Sequence, residues 1–117
     1  MIKRFELILL FIVLSLGTPK AFGAGNAAHG KKLFSEHGCI GCHAVKASAP
    51  PMAGPNLAGI TKKHKRKWLL EWLRHPNSMK KDPEIIKLKH KFPVSMPPQT
   101  LSAQDVDDIL AYLKSAK

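Results

Sequence analysis

Along the chain, apolar positions fall first into one run and then into four stretches with a helical repeat. The run, Leu7 to Leu16, follows Lys3 and Arg4 and precedes the small residues Ala21, Gly23 and Ala24. That order predicts a secretory signal peptide over residues 1–23, with cleavage leaving a chain that starts near Ala24. The run is shorter than the roughly 20 apolar residues that cross a bilayer, so no stable membrane span is expected in the mature chain. Retention of the segment as a surface anchor is the alternative.

In the remainder, AAHGKKLFSEH (27–37) places Leu33, Phe34 and His37 on one helical face, behind the cap Asn26 and ahead of Gly38. Gly30 lies inside that helix, where glycine costs about 1 kcal/mol against alanine, and so suggests a close approach by another backbone. Thr61 is placed to cap a second helix, KKHKRKWLLEWLRH, that Pro76 ends. On it Trp68 and Trp72 are four apart, with Leu69 and Leu73 beside them, a face expected to pack inward. Asp82 and Pro83 open a third short helix to about His90. Ser102 with Asp105 makes a capping-box start to a fourth, whose stripe is Val106, Ile109, Leu110 and Leu113. No strand pattern or internal repeat intervenes, so the expectation is one all-α domain over residues 24–117. Short helices joined by the aperiodic loops AVKASAPPMAGPNLAGI and FPVSMPPQT do not fill a core by themselves. Something other than polypeptide is expected to complete it.

The candidate chemistry lies in CIGCHAV, which holds both cysteines of the chain, Cys39 and Cys42. Export would put them in an oxidising compartment, where an unprotected pair tends toward a disulfide. A structural zinc site needs four ligands at matched spacing, and only scattered histidines could complete one. A thioredoxin-like pair needs a βαβ setting that the helical pattern does not offer. C-x-x-C-H is also the signature of covalent haem attachment. Two thiols three residues apart can form thioethers to the two vinyl groups of one haem, while His43 brings its imidazole to the iron.

With these residues in view, the sequence resembles a class I (mitochondrial-like) cytochrome c of the small single-haem bacterial type. The resemblance runs from about Ala27 to Lys114. GKKLFSEHGCIGCHAV is similar to the family's first helix and haem motif, GPNLAGI to the loop after it, and KWLLEWLRHP to the middle helix. SMPP resembles the distal ligand loop and DDILAYLKSAK the final helix. The resemblance implies a cytochrome c fold, three to four short helices around one covalently attached haem c, with the first and last helices crossing at Gly30, Phe34, Ile109 and Tyr112. It implies that the Pro55 carbonyl accepts a hydrogen bond from His43, fixing which ring nitrogen faces the iron.

The sixth ligand decides the chemistry, since methionine sulfur raises the reduction potential, a second histidine lowers it and an empty site admits ligands. Met96 is the candidate, in the stiff proline-flanked FPVSMPP and at the family's distal position. Met79 is the runner-up, Met52 is expected to pack, and His90 in KLKHKF could supply a bis-histidine site but reads better as a surface residue. His29, His37, His64 and His75 match no ligand position. Trp68 and Trp72 are expected to pack against the haem plane; the alternative that the resemblance offers is an indole N–H, or the Arg74 guanidinium, reaching a propionate.

Charge adds a partner. The full chain carries a net charge of +11; without residues 1–23, sixteen basic residues stand against seven acidic, a net of +9. So basic a domain draws acidic partners. Nucleic acid would suit the same composition, but export and a covalent haem argue against it. The expectation is a monomeric periplasmic one-electron carrier, not an enzyme, docking on acidic redox proteins. The alternatives are a haem-based ligand sensor or the electron-transfer subunit of a larger oxidoreductase.

Overall fold

The structure is a computed structural model that describes residues 25–117. The expected signal peptide and its cleavage point lie outside the described residues. Helix α1, Ala27–Glu36, begins where the Asn26 side chain accepts the His29 N–H and ends ahead of Gly38, whose φ of 72° turns the chain. Helices α2 (Ile60–Lys63) and α3 (Arg66–Arg74) follow, then α4 (Pro83–Lys91) and α5 (Ala103–Ser115). Short 3-10 turns occupy Cys39–Gly41 and Pro76–Met79. Asp82 caps α4 through the N–H groups of Glu84 and Ile85, and Ser102 and Asp105 form a reciprocal capping box on α5. Among the described residues there is no strand, and no helix is long and apolar enough to cross a membrane.

Five helices replace the expected three to four, because the second one is broken. His64 and Lys65 are extended, with ψ of 144° and 151°, and Thr61 lies inside α2 without capping it. A continuous helix would set Lys62 above Arg66 and Lys63 above Lys67, like charges one turn apart. The break sends them to separate partners: Lys63 reaches Glu84 of α4 at 2.7 Å, and Arg66 makes a two-pronged contact with Asp107 of α5 at 2.5 and 2.8 Å.

The core is built where α1 crosses α5. Leu33 and Phe34 of α1 pack with Val106, Ile109, Leu110 and Leu113 of α5, joined by Leu69 and Leu101. Phe34 meets Tyr112 edge-on, ring centres 5.5 Å apart. Gly30 is buried at the crossing, and a Cβ there would stand 1.8 Å from the Asp108 carbonyl oxygen. Only a residue without a side chain lets the two backbones approach this far.

Asp107 and Asp108 are both buried on α5 and both paired. Asp108 accepts from the Asn26 N–H at 2.8 Å, from His29 Nδ1 at 2.6 Å and from Gln104 at 2.9 Å. Burial alone would raise its carboxyl, but these hydrogen bonds outweigh it and hold the group below its ordinary value. A carboxyl lowered in this way stabilises the fold above its unfolded pKa of about 3.9, and the contribution is lost as pH falls through the folded value. Asp108→Asn should therefore cost about 2 kcal/mol at neutral pH, the scale of one charge-assisted hydrogen bond. It should also flatten the loss of stability below about pH 4, which urea unfolding at neutral and acid pH will measure.

Candidate functional site

The turn after α1 brings Cys39, Cys42 and His43 together. Gly38, in the left-handed conformation, reverses the chain, and the N–H groups of Cys42 and His43 both donate to the Cys39 carbonyl at 3.2 and 3.0 Å. Both cysteines are free thiols and half-buried. Burial pushes the Cys39 thiol above its ordinary value, which favours the protonated form.

The following loop is shaped by Asn56. Its side-chain N–H groups donate to the Lys46 and Ala49 carbonyls and its oxygen accepts from the Ala58 N–H, each at 2.8 Å. The loop folds back on the cysteine turn through Gly54 N–H to the Cys42 carbonyl at 2.9 Å and Leu57 N–H to the Ala44 carbonyl at 2.8 Å. This presents the Pro55 carbonyl to His43, whose Nδ1 lies 2.8 Å away. A carbonyl only accepts, so Nδ1 carries the proton and Nε2 keeps its lone pair. Gly54 is buried against the ring, where a Cβ would lie 2.5 Å from Cε1 of His43. The glycine before Pro55 is thus as necessary to the imidazole's seat as the proline, and it had drawn no separate attention in the sequence.

Met96 is half-buried and borders a small cleft with Trp72, Leu73, Pro76, Pro97 and Gln99. Its loop is tied down at two points. His37 Nδ1 donates to Gln99 Oε1 at 3.2 Å, and Arg74 Nε donates to the Leu101 carbonyl at 3.1 Å. Arg74, a possible propionate partner, gives its Nε to the end of the methionine loop. His37, which matched no ligand position, clips that same loop to the end of α1.

Trp68 is held from two sides. Its ring stacks on His64, centres 3.9 Å apart, and its only N–H donates to Asp82 at 3.1 Å. An indole has one donor, and here it is given to Asp82. The Trp68 bond, with those from the Ile85 and Glu84 N–H groups, draws the Asp82 carboxyl below its usual range. Met79 is buried in the turn after α3, while Met52 and His90 are exposed. Among the described residues no three His, Cys, Asp or Glu side chains gather as a metal site.

A haem fits this set. Two half-buried thiols sit in one turn, an imidazole nitrogen next to them has its lone pair free, and a thioether sulfur stands in a separately anchored loop. Comparison with known proteins agrees. The family model described as Cytochrome c matches residues 27–117. The chain is similar to cytochrome c oxidase subunit 2 of Alkalihalophilus pseudofirmus, 29% identical over 99 residues, which are 78% of this chain and 26% of that protein. It thus spans about a quarter of that relative's length. Among solved structures, cytochrome c from Rhodothermus marinus has a TM-score of 0.67 at 27% identity, covering 75% of this chain and 73% of that one. The cytochrome c domain of a Pseudomonas putida protein has a TM-score of 0.62 at 32% identity, covering 73% of this chain and 84% of its own.

The glycine seat gives the test of this geometry. Gly54→Ala should push the His43 ring off the Pro55 carbonyl, and the Nδ1 proton should then exchange with water at least tenfold faster by NMR. An unchanged rate would show that the loop absorbs the added methyl group.

Proposed function

Because the chain belongs to the cytochrome c family, we propose that it carries single electrons between exported redox proteins. In this reading Cys39 and Cys42 would hold haem c by thioethers, and His43 and Met96 would be the ligands of its iron. The observation that carries it is the turn uniting Cys39, Cys42 and His43, with the imidazole proton committed to Pro55. When bound, the haem supplies a reversible ferric–ferrous couple.

The protein's residues tune that couple. The hydrogen bond to Pro55 fixes the His43 tautomer, prevents rotation of the ring and strengthens Nε2 as a donor. Met96 offers a soft sulfur that favours the ferrous state and raises the potential. A weak ligand is kept in place by its loop, which the His37 and Arg74 contacts hold at both Gln99 and Leu101. Trp72, Leu73 and Pro76 line the same cleft as Met96 and give it apolar neighbours.

The exposed lysines of α2, α3 and their junction, Lys62, Lys63, Lys65 and Lys67, form the docking face for an acidic partner. Docking of this kind is brief and suits a monomeric carrier that transforms no substrate. A second reading, the electron-transfer module of a larger oxidoreductase, is favoured by the likeness to an oxidase subunit. Both place the working domain outside the cytoplasm.

The ferric protein should show the sulfur-to-iron band at the red edge of the visible spectrum, and Met96→His should abolish it and lower the potential. Persistence of the band in that variant would move the ligand to Met79. Electron-transfer rates with an acidic partner should fall at least tenfold between low and physiological ionic strength; stopped-flow rates that are flat across salt would remove the basic face from docking.

A further inference from the structure

The loop that carries Met96 is fastened downstream, at Gln99 by His37 and at Leu101 by Arg74. Its upstream arm, Pro93 to Met96, makes no backbone hydrogen bond among the described residues, and Pro93, Val94 and Ser95 are exposed. That arm leaves directly from the end of α4, where the Phe92 N–H donates to the Leu88 carbonyl. Pro93 has a fixed φ, so the arm is stiff at its root. What holds the methionine loop upstream is therefore α4, and whatever holds α4 decides where the arm begins.

Helix α4 buries one residue, Ile85, so its placement depends on the polar groups at its N-terminal end. Asp82 does two things there. Its Oδ1 accepts from the N–H groups of Glu84 and Ile85 at 2.9 and 3.2 Å, which starts the helix, and its Oδ2 accepts the Trp68 indole N–H at 3.1 Å, which ties that start to α3. Trp68 is itself packed against the core cluster and stacked on His64. A second tie, Lys63 Nζ to Glu84 at 2.7 Å, joins side chains that are 59% and 27% exposed, and an exposed pair of that kind contributes little. The Trp68 bond is part-buried and has a charged acceptor, which makes it the stronger of the two. We infer that Trp68 is a positioning residue for Met96: through Asp82 it places α4, and α4 places the upstream arm of the methionine loop. Trp72 lines the cleft that holds Met96 and Trp68 does not, so the influence of Trp68 runs through α4 and not through contact with the sulfur. This role rests on Met96 as a ligand of the iron.

Trp68→Phe removes the indole N–H and keeps an aromatic ring against the core. In the haem-loaded protein it should speed hydrogen exchange of the Ile86–Lys91 amides, measured by NMR, about tenfold or more. It should speed by a like factor the replacement of Met96 by added imidazole, followed by stopped flow as loss of the red-edge band of the ferric protein. Asp108→Asn, which weakens the α1–α5 crossing instead, should leave both rates within about twofold of wild type. Equal acceleration in Asp108→Asn would make both rates measures of overall stability and overturn the assignment. Faster α4 exchange with an unchanged replacement rate would uncouple α4 from Met96 and overturn it too, as would no change in either. If Trp68→Phe does not mature with haem, Asp82→Ser makes the same test, because serine keeps a capping oxygen on a side chain too short to hold the indole as well. Failure of the Met96 reading shows elsewhere: the band would then survive Met96→His, while amide exchange in α4 would still report the Trp68 bond.

Discussion

The contact of Gly30 with the Asp108 carbonyl is the constraint on which the rest of the structure depends. It lets α1 and α5 approach until their backbones touch, and every other core residue is placed by that approach. Asp108 then becomes a cap for the start of α1 as well as a member of α5, receiving the Asn26 N–H and His29 across 82 and 79 residues of sequence. Because α1 ends one turn before Cys39, fixing α1 also fixes where the cofactor's attachment points emerge.

From that origin the site is assembled in two halves with separate supports. His43 is oriented by a loop that Asn56 knits together and Gly54 makes room for. Met96 belongs to a loop fastened by His37, just past the end of α1, and by Arg74, at the end of α3. A hydrogen bond orients the first, and packing and proline stiffness hold the second. That division suits a strong ligand on one side of an iron and a weak one on the other.

Much of this was legible in the sequence because it is local. Caps at Asn26, Asp82 and Ser102, the stripe of α5 and the C-x-x-C-H spacing involve residues within one or two turns of each other, where pattern and conformation are directly linked. Family resemblance supplied the crossing of α1 on α5 and the all-α cytochrome c fold. The pairings that neither supplied are those between distant polar groups. Asp107 and Asp108 lie off the apolar stripe of α5, yet they are buried partners of Arg66 and His29. The break between α2 and α3 was hidden for the same reason: a basic stretch has a helical pattern, and only the positions of Glu84 and Asp107 show why it divides. Trp68 and Arg74 were placed on the right helix, while the acceptors of Trp68 Nε1 and Arg74 Nε, Asp82 and the Leu101 carbonyl, lie farther along the chain.

Helix α4 differs from the other long helices in how it is held. Ile85 is its one buried residue, none of its side chains enters the main core cluster, and its ties to α2 and α3 run through Glu84 and its cap Asp82. Free energy of opening is therefore unevenly distributed, high where α1 meets α5 and low along this strap. By the same reasoning α4 is the helix whose opening costs least of the total unfolding free energy.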